Sequence, residues 1–132
     1  MKITPDTNVL VRAIIEDDKR QSRAAHNVLR DADSISLALT ALCELIWVLS
    51  RGYSIPSAEI ARTIRLLING ANVAANRPAV EAGLAILDAG GDFADGVIAY
   101  EGNWLGADTF VSFDRRAVKL LEIKGHHARL LP

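Results

Sequence analysis

The sequence predicts one α/β domain built around a mostly parallel sheet. Apolar segments of strand length alternate with segments whose apolar residues recur at helical spacing, and this alternation implies right-handed crossovers. The chain has 132 residues, and 50% of them are hydrophobic, which is enough for a single core. No internal repeat, linker or low-complexity segment interrupts it, so we expect one domain over residues 1–132.

In the first part of the chain we predict strands at residues 2–5, 34–39 and 72–75, and helices at residues 8–16, 20–31, 41–51 and 56–68. Thr40 can cap the third of these helices, and Gly52 can end it. Pro56 suits the first turn of the fourth helix, which stops at Asn69 and Gly70.

In the second part we predict helices at residues 78–88, 93–105 and 115–124, and strands at residues 109–113 and 128–131. Gly90 and Gly91 end the first of these helices, and Asp92 is a good N-cap for the second. The apolar run at 109–113 predicts a buried strand, and residues 128–131 an edge strand.

Charge and cysteine content exclude several classes of protein. The formal net charge is -1 without a block of like charge, which argues against a strongly basic nucleic-acid module but not against an RNA-cleaving enzyme. The single cysteine, Cys43, excludes an internal disulfide and a cysteine-based zinc site. No signal peptide or membrane span is recognisable, and we expect a soluble cytoplasmic protein.

Acidic residues in apolar surroundings are the main functional indication. Asp6 follows the first predicted strand and Asp114 the strand at 109–113, so both are expected at the carboxyl edge of the sheet, where sites form in open α/β folds. Glu44 and Asp95 lie near the start of their helices and can face the same edge, with Asp92 as a further candidate.

Several carboxylates at close range repel one another, and a divalent cation is the usual counter-charge. Oxygen ligands of this kind suit Mg²⁺ or Mn²⁺. Such a centre polarises a phosphoryl group and lowers the pKa of a bound water, so hydrolysis of a nucleic-acid backbone is the expected reaction class.

Simpler structural explanations exist for four of these residues. Asp6, Asp92 and Asp114 could be helix caps, and Asp95 could be a first-turn partner of the helix dipole. Glu44 is the hardest of the five to explain in this way, because it is mid-helix with no Lys or Arg within a turn.

The other polar residues give weaker indications of a functional site. The three histidines lack the paired spacing of zinc ligands, and no Gly-rich phosphate loop is present. Arg115, Arg116 and Lys119 could contact RNA phosphates or form a solvated helix face. The apolar stretch around Trp47 could be core or a partner surface.

Four segments, PDTNVLVR, CELIWVLSRGY, DFADGVIAY and FVSFDRR, resemble the motifs of PIN-domain proteins, and are most similar to those of VapC-type toxins of toxin–antitoxin pairs. The likeness runs nearly end to end. It implies a PIN-like three-layer α/β/α sandwich and a Mg²⁺- or Mn²⁺-dependent endoribonuclease. By position, the family's acidic quartet falls on Asp6, Glu44, Asp95 and Asp114.

The resemblance also implies further residues and partners. Asp92 matches an acidic position beside the third quartet member and is a further metal-ligand candidate, and Asn8 and Ser112 match polar supporting positions. Homodimers and a small antitoxin protein are implied as well. We expect the antitoxin to pack near the third helix, against Ile46, Trp47, Leu49 and Tyr53.

Two rival functions stay open. A Mg²⁺-dependent phosphatase or phospho-acceptor domain also places acidic residues at the ends of parallel strands. However, Asn8 stands where such phosphatases need a second aspartate, and Arg115 is a poor substitute for the lysine of a receiver domain. A non-catalytic PIN-like binding module is the other alternative, against which the complete quartet speaks.

Overall fold

The computed structural model describes residues 1–132, which form two compact units, Met1–Asn76 and Arg77–Pro132. The first unit contains three strands and four helices, and the second contains two strands and three helices. Every strand pair is parallel, which confirms the predicted α/β class. The expectation of a single domain stays a prediction.

The first unit contains, in order, β1 (Lys2–Ile3), α1 (Thr7–Ile14), α2 (Lys19–Asp31), β2 (Ser34–Leu37), α3 (Leu39–Trp47), a π-helical turn (Val48–Gly52), α4 (Ser57–Ile68) and β3 (Val73–Ala75). The three strands form one sheet in the order β1-β2-β3. Ile3 pairs with Ile35, and Ile35 with Val73. Because β1 and β2 are parallel, the segments that follow them, α1 and α3, begin at the same edge of this sheet.

Helix α3 begins earlier than the sequence predicts, and Thr40 is not its cap. The helix starts at Leu39, because the Ala38 carbonyl accepts the first helical hydrogen bond, from the Leu42 amide at 3.1 Å. The last turn widens into the π-helical turn, which ends at Gly52 as predicted. Pro56 is the N-cap of α4 rather than a first-turn residue.

The second unit contains, in order, α5 (Arg77–Asp88), α6 (Phe93–Trp104), β4 (Phe110–Ser112), α7 (Arg115–Ile123) and β5 (Ala128–Leu130). β4 and β5 form a two-stranded parallel sheet, in which Val111 pairs with Arg129. Gly90 follows α5 with a φ of 91°, a left-handed conformation that glycine adopts without strain. The predicted helix ends and the last strand are thus confirmed.

Helices α5 and α6 approach each other closely at two glycines. A Cβ on Gly96 would lie 2.8 Å from the Cα of Gly83, and a Cβ on Gly83 would lie 2.6 Å from the ring of Phe93. Phe93 is fully buried in this contact. The glycines therefore fix the position of the first turn of α6, which carries Asp95.

The prediction of a buried strand at 109–113 is wrong in one respect. The strand exists, but Val111 is 51% exposed and Phe113, beyond its end, is 74% exposed. β4 pairs laterally with β5, and this pairing does not cover side chains that point out of the sheet. Across the whole chain, no helix combines the length and the apolar character that crossing a bilayer requires.

Candidate active site

The five predicted acidic residues are divided between the two units. Asp6 and Glu44 belong to the first, and Asp92, Asp95 and Asp114 to the second. Each set has its own geometry, and the expectation that both serve one site stays a prediction.

Asp6 follows β1 after a short loop, and it is the N-cap of α1. Its Oδ1 accepts a hydrogen bond from the Val9 amide at 3.2 Å. Oδ2 accepts none, and the side chain is exposed. The capping explanation is therefore correct, yet it uses only one of the two carboxylate oxygens and leaves the other free for a ligand.

Glu44 lies on the exposed side of α3, opposite the fully buried Leu42 and Leu45. Its Oε2 accepts a hydrogen bond from Oγ1 of Thr7 at 3.2 Å. Thr7 is a site residue that the sequence reasoning missed. Its signal was the hydroxyl next to Asp6 in the DTN segment, which the parallel pairing of β1 and β2 brings opposite the first turns of α3.

These residues line an open cleft of about 470 Å³ within the first unit. Residues 4–8 line one wall, and the exposed side of α3 lines the other. Asp6, Glu44 and the predicted supporting residue Asn8 all face this cleft. The first unit thus brings two members of the quartet together, as the strand order led us to expect.

Asp114 occupies the corresponding place in the second unit, between β4 and α7. Its Oδ1 accepts from the amides of Arg116 at 3.0 Å and Ala117 at 3.1 Å. The Asp114 amide in turn donates to Oγ of Ser112 at 2.9 Å. Ser112 therefore contacts the backbone that presents Asp114, while its supporting role in the site stays a prediction.

Asp92 and Asp95 lie at the start of α6. Asp92 is the N-cap, as predicted, and its Oδ1 accepts from the Ala94 amide at 3.0 Å. Asp95 is half-buried in the first turn. Its burial, and then the negative charges of Asp92 and Asp114, raise the pKa of the Asp95 carboxyl above 3.8. We call Asp92, Asp95 and Asp114 the acidic cluster.

The expectation that all these carboxylates sit in apolar surroundings is wrong for most of them. Only Asp95 is even half-buried, and the other four are exposed. Glu44 is exposed because it lies on the solvent side of α3, whereas Leu42 and Leu45 of the same helix are buried in the core. The electrostatic argument for a counter-cation therefore rests on Asp95 and its two acidic neighbours.

The donor chemistry of the acidic cluster fits a hydrated divalent cation. No three His, Cys, Asp or Glu side chains converge closely enough to enclose a metal ion by themselves. Mg²⁺ does not need to be enclosed by three side chains, because it keeps several water ligands and is commonly held by one or two carboxylates. A cation would also relieve the repulsion that raises the pKa of Asp95.

The residues predicted to contact an antitoxin have different environments. Ile46 and Leu49 are only 5% and 1% exposed, so they belong to the core and not to a surface. Tyr53 is half-buried, and its hydroxyl donates to Oδ2 of Asp17 at 3.0 Å. Trp47 alone is widely accessible, at 64%. A partner surface on this part of α3 would therefore centre on Trp47.

A separate cavity of about 260 Å³ lies in the second unit, at the amino ends of β4 and β5. His126 and His127 line it, but they belong to no group of side chains that could hold a metal ion. It contains none of the predicted site residues and lies at the end of β4 opposite Asp114.

Comparison with known families gives one match over nearly the whole chain. Residues 3–122 match the PIN domain family, in agreement with the predicted PIN-like fold class. The matched range includes every member of the acidic quartet. No curated protein sequence matches the chain.

Proposed function

This chain belongs to the PIN domain family, whose members are generally nucleases, and from that premise we propose that it is a Mg²⁺- or Mn²⁺-dependent endoribonuclease. The observation that supports metal dependence best is the acidic cluster, where Asp95 is destabilised in its charged form by burial and by two neighbouring carboxylates. A divalent cation is the natural counter-charge for such a group.

Within this proposal Asp6, Asp95 and Asp114, with Asp92 beside them, would hold the cation. When bound, the cation would supply charge for the phosphoryl oxygens and favour ionisation of water. The free Oδ2 atoms of the capping aspartates are the oxygens available for it.

Glu44 would orient the attacking water. Its Oε2 is already held by the hydroxyl of Thr7, which leaves Oε1 to accept a proton or a hydrogen bond from that water. Positioning a carboxylate in this way lowers the entropy cost of reaching the reactive arrangement.

We further propose that the protein is the toxin of a type II toxin–antitoxin pair, that it acts in the cytoplasm as a homodimer, and that a small antitoxin protein inhibits it. The four segments that resemble VapC-type toxins support this proposal. Expression of the chain alone should arrest growth, and co-expression of a short neighbouring gene should relieve the arrest.

The nuclease proposal is tested by Asp6→Asn. Asparagine caps a helix as well as aspartate does, so the fold should be retained while the charge for the cation is lost. We expect RNA cleavage to fall by about 100-fold or more, because a metal centre supplies several kcal/mol of transition-state stabilisation. Cleavage of a mixed RNA substrate with Mg²⁺ or Mn²⁺ measures this, with thermal unfolding as the check on folding.

Asp18→Asn is a matched control. Asp18 caps α2 in the same way, through a hydrogen bond of 3.0 Å from the Gln21 amide, but is not among the predicted site residues. The Asp18→Asn protein should cleave RNA like wild type.

Cleavage by Asp6→Asn at the wild-type rate, or cleavage that persists in EDTA, would contradict the proposal. Hydrolysis of an aryl phosphate without RNA cleavage would favour the phosphatase alternative. Calorimetry that detects no binding of Mg²⁺ or Mn²⁺ would favour the non-catalytic binding module.

A further inference from the structure

Arg116 is placed differently from the other basic residues of α7. A Cβ on Gly90 would lie only 2.8 Å from Nη2 of Arg116, so the guanidinium group rests over the bare Cα of Gly90. Gly90 belongs to the turn between α5 and α6 that leads into Asp92. A larger residue at Gly90 would occupy the place of the guanidinium group.

The backbone of Arg116 is tied to the same region. Its amide donates to Oδ1 of Asp114 at 3.0 Å, while its side chain reaches across to Gly90. Leu120, one turn further along α7, lies on the same face, since a Cβ on Gly91 would be 2.6 Å from its Cδ1. Arg116 therefore connects the two segments that carry Asp92 and Asp114.

Despite this position, the Arg116 guanidinium group forms no ion pair and donates no hydrogen bond within the chain. The ion pairs of the structure do not include Arg116, and its hydrogen bond to Asp114 involves the backbone amide. An exposed guanidinium group carries five N–H donors in a planar fork that suits a phosphate. These donors are all free for a ligand.

The chemistry of the proposed reaction supplies the matching ligand. An RNA strand that approaches three carboxylates meets repulsion at every phosphate that the cation does not neutralise. A fixed positive group beside the carboxylates lowers this cost for a neighbouring phosphate, and it does so through charge-assisted hydrogen bonds.

We propose that Arg116 binds a backbone phosphate of the RNA substrate beside the acidic cluster, and so positions the strand for cleavage. The proposal rests on the nuclease function proposed above. It separates Arg116 from Arg115 and Lys119, which are also exposed and unpaired but which no contact holds against the turn at Gly90.

The test compares Arg116→Met, which keeps the apolar stem, with Arg116→Lys, which keeps the charge. Arg115→Met is the matched control, because it removes the same charge one residue away. Binding of a fluorescein-labelled, mixed-sequence single-stranded RNA is measured by anisotropy with Mg²⁺ over a series of salt concentrations. The Asp6→Asn background prevents cleavage during the measurement.

We expect Arg116→Met to weaken binding about tenfold or more, as loss of a hydrogen bond to a charged group does. The slope of log K against log salt should become shallower by about 0.7, the value for one phosphate contact on a single strand. Arg116→Lys should keep the wild-type slope. In the cleaving protein, Arg116→Met should raise KM and leave kcat nearly unchanged.

Two results would overturn the proposal. One is that Arg116→Met and Arg115→Met change the affinity and the salt slope equally. The other is that the Asp6→Asn protein binds no RNA. Failure of the nuclease function is separate, because it would appear as absence of RNA cleavage by the wild-type protein in Mg²⁺ or Mn²⁺, whatever the binding data show.

Discussion

Three aspartates in this protein use only one of their two carboxylate oxygens in a hydrogen bond within the chain. In Asp6, Asp92 and Asp114 one oxygen caps a helix and the other accepts no hydrogen bond from the protein. A helix cap of this kind contributes about 1 kcal/mol. Substitution by asparagine therefore separates the charge from the cap, whereas substitution by alanine removes both.

Asp95 caps no helix, and its burial and the neighbouring carboxylates of Asp92 and Asp114 raise its pKa. Because its pKa is raised in the folded state, the stability that its protonated form contributes is present below a pH of about 3.8 and is lost as the pH rises through the raised value. Asp95→Asn cannot ionise. In EDTA at pH 7 we expect it to unfold at a higher temperature than wild type, and the difference should vanish in acid.

Thermal unfolding over a pH series measures this effect, and Glu101→Gln on the exposed face of the same helix is the control. Addition of Mg²⁺ should stabilise wild type more than Asp95→Asn, since only wild type has a charge there for the cation to offset. An Asp95→Asn protein that is less stable than wild type at pH 7 would refute this account.

Thr7 has a positioning role that can be measured. Thr7→Val keeps the shape of the side chain and removes the hydrogen bond to Glu44. One such bond is worth about 1 kcal/mol, so we expect kcat to fall by less than about tenfold with little change in unfolding temperature. Thr40→Val, on the cleft wall but without a bond to Glu44, is the control. Equal effects of the two changes would exclude the positioning role.

At the scale of elements, the contact between α5 and α6 determines where the acidic cluster lies. Gly96→Ala would force a methyl group against the backbone of α5 at Ala82 and Gly83. Overpacking of this kind costs about 1–3 kcal/mol. We expect a lower unfolding temperature together with weaker cleavage, because Asp95 precedes Gly96 directly.

Gly102→Ala in the same helix is the matched control. The nearest atom to its added Cβ is 3.9 Å away, so the methyl group fits. Replacement of a helical glycine by alanine should be neutral or stabilising, by up to about 1 kcal/mol. If Gly102→Ala destabilises as much as Gly96→Ala, the close approach of the helices is not the cause.

Local sequence signals predicted the elements well where a capping residue or a glycine marks a boundary, as at Asp92, Gly90 and Gly52. They failed at α3, because a backbone carbonyl starts that helix without any side-chain cap. They also failed to predict that β4 is exposed, since an apolar strand has the same sequence pattern whether or not its side chains are covered.

For the chain as a whole, strand order predicted the grouping of Asp6 with Glu44 in the first unit, but it did not predict that both are exposed. Periodicity around Glu44 is too apolar to reveal which side of α3 is exposed. Arg116 could not be distinguished from Arg115 in the sequence, because the difference lies in a glycine about 26 residues earlier in the chain, a separation that no local pattern covers.

The proposed partner makes a prediction at this scale. Trp47→Ala removes the one widely exposed residue of the predicted antitoxin surface, and should change the free energy of unfolding by no more than about 0.5 kcal/mol. RNA cleavage should persist, while inhibition by the proposed antitoxin should weaken. Unchanged inhibition in a titration of cleavage would place the partner elsewhere.

Helix capping by the acidic residues affects how relatives of this chain should be read. In a lineage that had abandoned cleavage, selection for stability alone would still retain aspartate or asparagine where Asp6, Asp92 and Asp114 stand, because the caps would still be needed. Asp95 and Glu44 cap no helix, so they would be the first to drift. These two positions, rather than the more recognisable DTN segment, should distinguish active enzymes from inactive descendants.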